Sequence, residues 1–331
     1  MPGRASVVGT RFVRSGGGWT PGGNGLGRGE DRRRIVGGGS VRSSGRSPIR
    51  SSARLSARSS VRFPVRSSVR LYAAVAVGGF RRYATYRAAT VAGVFTNTVF
   101  GLILVYTYLA LWDERPDLGG YGQAQAVTYV WLGQALYATL AVQGGGFEIE
   151  LMERIRTGAV AIDLYRPVDL QGWWLAQDLG RSVFQLLGRG VIPFLFGVTV
   201  FPVALPDDPS TWAAFLTTVL LAMVVSYAIR YLVALSAFWL MDGTGAMQVL
   251  MIVGMLCSGL VLPLNVFPGV FGEVVRVLPW AALLQGPADV LMGETSVLRV
   301  FALQSGWAVV LLAAGRLLQS AATRRVVVQG G

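Results

Sequence analysis

Residues 212–240 read WAAFLTTVLLAMVVSYAIRYLVALSAFWL, 29 positions that carry one charge, Arg230. A helix needs about 20 apolar residues, at about 1.5 Å each, to cross a ~30 Å hydrocarbon layer. This stretch is long enough to span, tilt and project beyond it. Five more apolar runs flank it, at 88–112, 121–142, 183–205, 246–262 and 297–318. The third contains Pro193 and Pro202, which neighbouring helices tolerate in a membrane by re-satisfying freed backbone groups. The sequence therefore predicts an all-α, polytopic membrane protein with six transmembrane helices.

Composition agrees: 53% of the chain is hydrophobic and only 14% charged, little charge for a soluble domain of this size. Lys and His are both absent. Without Lys there is no phosphate-binding loop of the G-x-x-x-x-G-K-[ST] type and no Schiff base. Without His, a Ser-His-Asp triad and His-ligated metal are excluded. The single Cys257 reads as a small core residue. We expect no catalytic, cofactor or metal site, and any ATP-driven work must use a partner's nucleotide site.

All of the net charge of +13 sits in residues 1–70, which hold 15 Arg against Glu30 and Asp31. That Arg/Ser/Gly leader lacks apolar periodicity, so it predicts disorder. Three readings compete: a tail attracted to anionic lipid, a phosphate-binding arm for nucleic acid, and translated sequence upstream of a natural start near Val61, Val65 or Val69. The last is preferred, and no specific nucleic-acid partner is expected. The body, 71–325, is electrically balanced, with 326–331 as a C-terminal tail.

Within the body, Leu71–Arg87 alternates apolar residues with Arg81, Arg82 and Arg87, the pattern of a helix lying in the membrane interface. Placing the N-terminus inside puts ten body arginines on inner flanks and only Arg115, Arg276 and Arg299 on outer ones. This bias predicts both termini in the cytoplasm. The outer segment 263–296 is apolar but broken by Pro263, Pro268, Pro279 and Pro287, which suggests short re-entrant helices. On the inner side, Phe147, Leu151 and Ile155 form one stripe at i, i+4 and i+8. Glu150, Glu153 and Arg154 cover the other face, Arg156-Thr157-Gly158 breaks the helix, and Arg166-Pro167 ends a second short one. Glu148, Glu150, Glu153, Arg154 and Arg156 read either as charged contacts to a partner or as a solvated helix face. Arg230 either lines a substrate path or, as its depth favours, snorkels to the inner interface. Gln134, Gln185 and Gln248 either bond between helices or line the path. Asp178, Asp242 and Glu273 fall at or beyond span ends, which argues against an ion- or proton-driven carrier. A non-transport scaffold is a further alternative.

The run RIRTGAVAIDLYRPVDL (154–170) resembles the I-x-x-G…L-x-[RK]-P stretch of type-2 ABC exporter permeases, in the bacterial six-span branch. YATYRAA (83–89) resembles that branch's entry into its first span. PLNVFP (263–268) and LPW (278–280) resemble its proline-marked outer segment. The leader has no counterpart there. The resemblance implies a half-transporter in the bacterial cytoplasmic membrane, paired with a second six-span permease and powered by a separate ABC ATPase. It implies that Phe147, Glu150, Leu151, Glu153, Arg154, Arg156, Gly158, Arg166 and Pro167 form the ATPase-coupling loop, and that residues 71–87 form the interfacial helix. The expected cargo is hydrophobic or amphipathic and moves outward.

Overall fold

Twelve α-helices and no strand occur among the described residues, which in the computed structural model are 65–240 and 243–329. Helix α1 spans Val65–Ala84 and starts before residue 71, so the helical body reaches into the expected leader. The rest of the leader, residues 1–64, lies outside the described residues. So do residues 241 and 242, in the short link between the fourth and fifth apolar runs. Two arginines, Arg81 and Arg82, occupy the last turn of α1, where the helix dipole favours cations. Arg87 does not belong to that helix: it opens α2, Arg87–Glu114.

Membrane solvent explains why α2 lacks a polar face. Its buried residues, Gly93, Asn97, Gly101, Val105, Tyr108 and Trp112, form one stripe at three- and four-residue spacing. The opposite side exposes Val91, Phe95, Phe100, Ile103 and Tyr106, which suits lipid rather than water. Helix α3, Gln123–Tyr137, lies against that stripe; Asn97 Nδ2 donates to the Gln134 carbonyl at 3.2 Å.

The run 121–142 was expected to be helical throughout, but α3 stops at Tyr137. Beyond it Ala141 has φ 46°, and Gly144 and Gly145 have φ 74° and 91°, a region glycine enters without cost. The carbonyls this frees are taken by distant side chains. Arg181 donates to Ala138 O at 2.9 Å and Thr139 O at 3.1 Å, and the Ser226 hydroxyl donates to Leu140 O.

After α4 (Phe147–Arg156) and α5 (Val160–Tyr165), α6 begins at Leu170, well before the expected 183, and runs to Gln185. A wide π turn at Leu186–Gly190 joins it to α7, Val191–Val200. Pro193 brings no N–H to the ladder, and a π turn absorbs the mismatch without breaking the helix. Helix α1 packs along α6 with backbones nearly touching: a Cβ on Gly180 would collide with the Ala76 carbonyl, and one on Gly79 with that of Gln177.

Helix α8, Pro209–Leu240, is the centre of the bundle. Pro209 suits a first helical position, and Asp208 before it accepts from the Ser210 N–H at 3.1 Å. Helices α9 (Thr244–Cys257), α10 (Gly269–Val277), α11 (Gln285–Met292) and α12 (Val297–Gln329) complete the chain. The last continues through most of the expected tail; residues 330–331 lie outside the described ones. Gln304 of α12 donates to Thr218 O of α8 at 3.0 Å and to Ala282 O at 2.9 Å.

Four helical stretches are long and apolar enough to cross a membrane: 87–114, 170–200, 209–240 and 297–324. The other two apolar runs form shorter helices, α3 and α9. The segment 263–296 forms α10, α11 and a single 3-10 turn, Leu264–Val266.

At the α11 end a polar knot closes the bundle. Tyr121 donates to Asp289 Oδ1 at 2.5 Å, and Gln285 Nε2 donates to that oxygen at 2.8 Å and to the Tyr121 oxygen at 2.7 Å. Gln285 Oε1 accepts from Tyr129 at 3.0 Å and from the Leu264 N–H at 2.8 Å.

Candidate functional site

Helix α4 is tied into the bundle on one face and open on the other. Phe147 and Leu151 are buried in an apolar cluster with Val160, Trp174, Tyr227 and Tyr231. Thr157 and Gly158 then turn the chain back; Gly158 sits at φ 76° in open space, so the turn needs glycine for its backbone alone. Arg154 clamps α4 to α5 through a two-pronged bond with Asp163, Nε–Oδ2 2.6 Å and Nη2–Oδ1 2.7 Å. Arg166 lies 3.5 Å from the same carboxylate and over the Trp173 ring, which fixes the chain just before Pro167.

The outward face carries Ile149, Glu153, Arg156, Ile162 and Tyr165, the tyrosine 90% exposed. Glu153 and Arg156 form a two-pronged pair at 2.9 Å, and this guanidinium holds Glu153 below the usual carboxylate range. Arg82 reaches Glu150 at 2.7 Å and so joins α1 to α4. Arg81 and Arg87 are exposed.

Glu148, at the start of α4, points inward. It is fully buried; Oε1 accepts the Gly146 N–H at 2.7 Å and Oε2 accepts Arg230 Nη1 at 2.9 Å. Arg230 also donates Nη2 to Asp178 Oδ2 at 2.5 Å, and Arg181 Nε donates to Asp178 Oδ1 at 2.6 Å. Two acids and two arginines therefore form a neutral buried cluster joining α4, α6 and α8. A side chain at Gly146 would fall within 3 Å of both Arg230 and Glu148, so glycine is required where the chain enters α4.

These contacts correct three expectations. Arg230 does not snorkel; its side chain is 3% exposed and satisfied by protein. Glu148 is no surface contact. Asp178 lies inside the 170–200 helix, not at its end, although both its oxygens are held by guanidinium groups. The proposed path residues do not converge. Gln134 is buried against α2, Gln248 is exposed on α9, and Arg230 belongs to the ionic cluster. Gln185 is buried, with its Oε1 unpaired among the described residues.

Sequence reasoning missed the cluster and the exposed Ile162 and Tyr165. An intramembrane arginine demands a counter-charge, and that demand was the one available signal for Asp178 and Glu148.

Among the described residues no group of His, Cys, Asp or Glu is arranged to hold a metal. No curated protein matches the chain. The family model described as ABC-2 family transporter protein matches residues 93–330, well over half of the sequence, and the chain belongs to that family of membrane transport components.

Proposed function

We propose that this chain is the permease subunit of an ATP-driven exporter, with hydrolysis on a separate ABC ATPase seated against α4 and α5. One observation carries the reading: α4–turn–α5 is rooted in the bundle by Phe147, Leu151 and Glu148, yet turns Ile149, Glu153, Arg156, Ile162 and Tyr165 outward. An amphipathic protrusion with an exposed aromatic and paired charges suits a protein groove. Its root in α6 and α8 suits an element that passes motion into the membrane. On this reading α3 and α9 are the two short spans of six, and both termini are cytoplasmic. Helix α1 lies in the inner interface, and two such permeases, alike or related, enclose the path of an amphipathic cargo leaving a bacterial cell.

Affinity purification of the full chain in mild detergent is expected to bring down a P-loop ATPase in stoichiometric amount. Its absence, under conditions that keep a known ABC complex intact, overturns the reading in favour of a carrier or scaffold. Exchanging the surface pair as Glu153→Arg with Arg156→Glu keeps the bond within α4 but inverts the charges offered to a partner. Membrane insertion is expected to survive while ATPase-coupled transport falls several-fold, because like charges opposed at an interface are costly. Transport at the unaltered rate sinks the coupling role.

A further inference from the structure

At the end of the bundle away from α4, a cavity of about 120 Å3 opens between α10, α11 and the start of α12. One water needs roughly 10–15 Å3 of such space, so a group of several atoms fits. Arg276, Arg299 and Asp289 line it, with Asn265 and Thr295 beside them. Neither arginine makes an ion pair among the described residues; Arg276 commits only Nε, to the Gly272 carbonyl at 3.1 Å. Asp289 commits Oδ1 to Tyr121 and Gln285, while Oδ2 has no hydrogen-bond partner among the described residues. Next to the cavity α10 turns Val270, Phe271, Val274 and Val277 away from the core, the face of a helix resting in a lipid interface. The arginines then stand at headgroup level.

The charges select the ligand. Two guanidinium groups suit a phosphate, but a bare phosphate would also face the Asp289 carboxylate. A simple cation suits Asp289 but meets both arginines. A group with phosphate and ammonium a few atoms apart leaves no charge opposed. We propose that this cavity binds an aminoalkyl phosphate, the headgroup chemistry of phosphatidylethanolamine, with its phosphate on Arg276 and Arg299 and its ammonium on Asp289. Burial raises the Asp289 carboxyl to about 6, so at neutral pH it is mostly ionised and available to that ammonium. Placement in the outer leaflet, though not binding itself, rests on the orientation proposed above.

The test is thermal unfolding of the purified full chain titrated with short-chain phosphatidylethanolamine, phosphatidylglycerol or soluble glycerophosphoethanolamine. Phosphatidylethanolamine is expected to raise the midpoint, and Arg276→Gln with Arg299→Gln, both exposed sites, to weaken the apparent affinity about tenfold to a hundredfold. Asp289→Asn is expected to abolish the preference over phosphatidylglycerol. A shift with the soluble headgroup alone supports the site with a soluble source; a shift only with lipid supports it with the membrane as source. No shift, an unchanged affinity in the double variant, or equal binding of phosphatidylglycerol by the unaltered chain overturns it. No ATPase takes part, so failure here leaves the permease reading intact, and absence of an ATPase leaves this site intact.

Discussion

Arg230→Met is expected to lower stability by about 3–5 kcal/mol, the usual cost of removing one partner from a buried ion pair. Met fills much of the space, so lost packing is a minor part. What remains is the damage: Glu148 keeps only the Gly146 N–H, and Asp178 keeps only Arg181. Both are buried, so neither recovers its hydration. Glu148→Gln alone is expected to cost less, about 1–3 kcal/mol: the amide oxygen still accepts from Arg230, and Asp178 still holds it, although one acid then faces two arginines. Combining Glu148→Gln with Arg230→Met is expected to restore part of the loss, since it removes the charge that Met left unpaired. Unfolding midpoints of the detergent-purified variants give the comparison. An Arg230→Met protein as stable as the unaltered chain would show that the cluster is not closed as described.

Asp289 gives the second large effect, and its sign is opposite to that of an ordinary surface carboxylate. Burial raises its pKa from 3.8 to about 6, although the hydrogen bonds from Tyr121 and Gln285 pull the other way. The folded chain thus holds this proton more tightly than the unfolded one. The resulting stability is fully present below about pH 4 and is lost as pH rises through about 6, by about 3 kcal/mol in all. Asp289→Asn keeps the shape and removes the titration. Between pH 4 and 8 the unaltered chain is expected to lose stability relative to that variant and to level off above pH 7. Glu294, Arg276, Arg299, Tyr121 and Gln285 surround the carboxyl in both proteins, so the difference isolates Asp289. Parallel pH profiles would refute the shift.

Sequence reading succeeded where one segment contains its own explanation. Residues 212–240 need only their composition to be a spanning helix, and 147–165 need only a 3.6-residue stripe and a glycine to be two short helices. It failed where distant residues decide. Helix α3 ends at Tyr137 because Arg181 and Ser226, 42 and 86 positions beyond their acceptors Thr139 and Leu140, supply donors to carbonyls that would otherwise continue the helix. Arg230 stands about two-thirds of the way along α8, ten residues before its end. The start of α4 and the middle of α6 lie against it there, so its charge meets acids before it meets water. Depth along one helix says nothing of what lies beside it.

Because Arg181 grips the unwound chain after α3 while its partner Asp178 also holds Arg230, a push on α4 cannot be carried by one helix. From Glu148 the load passes to Arg230 of α8 and from there, through Asp178 and Arg181, to α6 and the foot of α3. These three are thereby braced as one unit, and α2, hydrogen-bonded to α3 through Asn97, is tied to it as well.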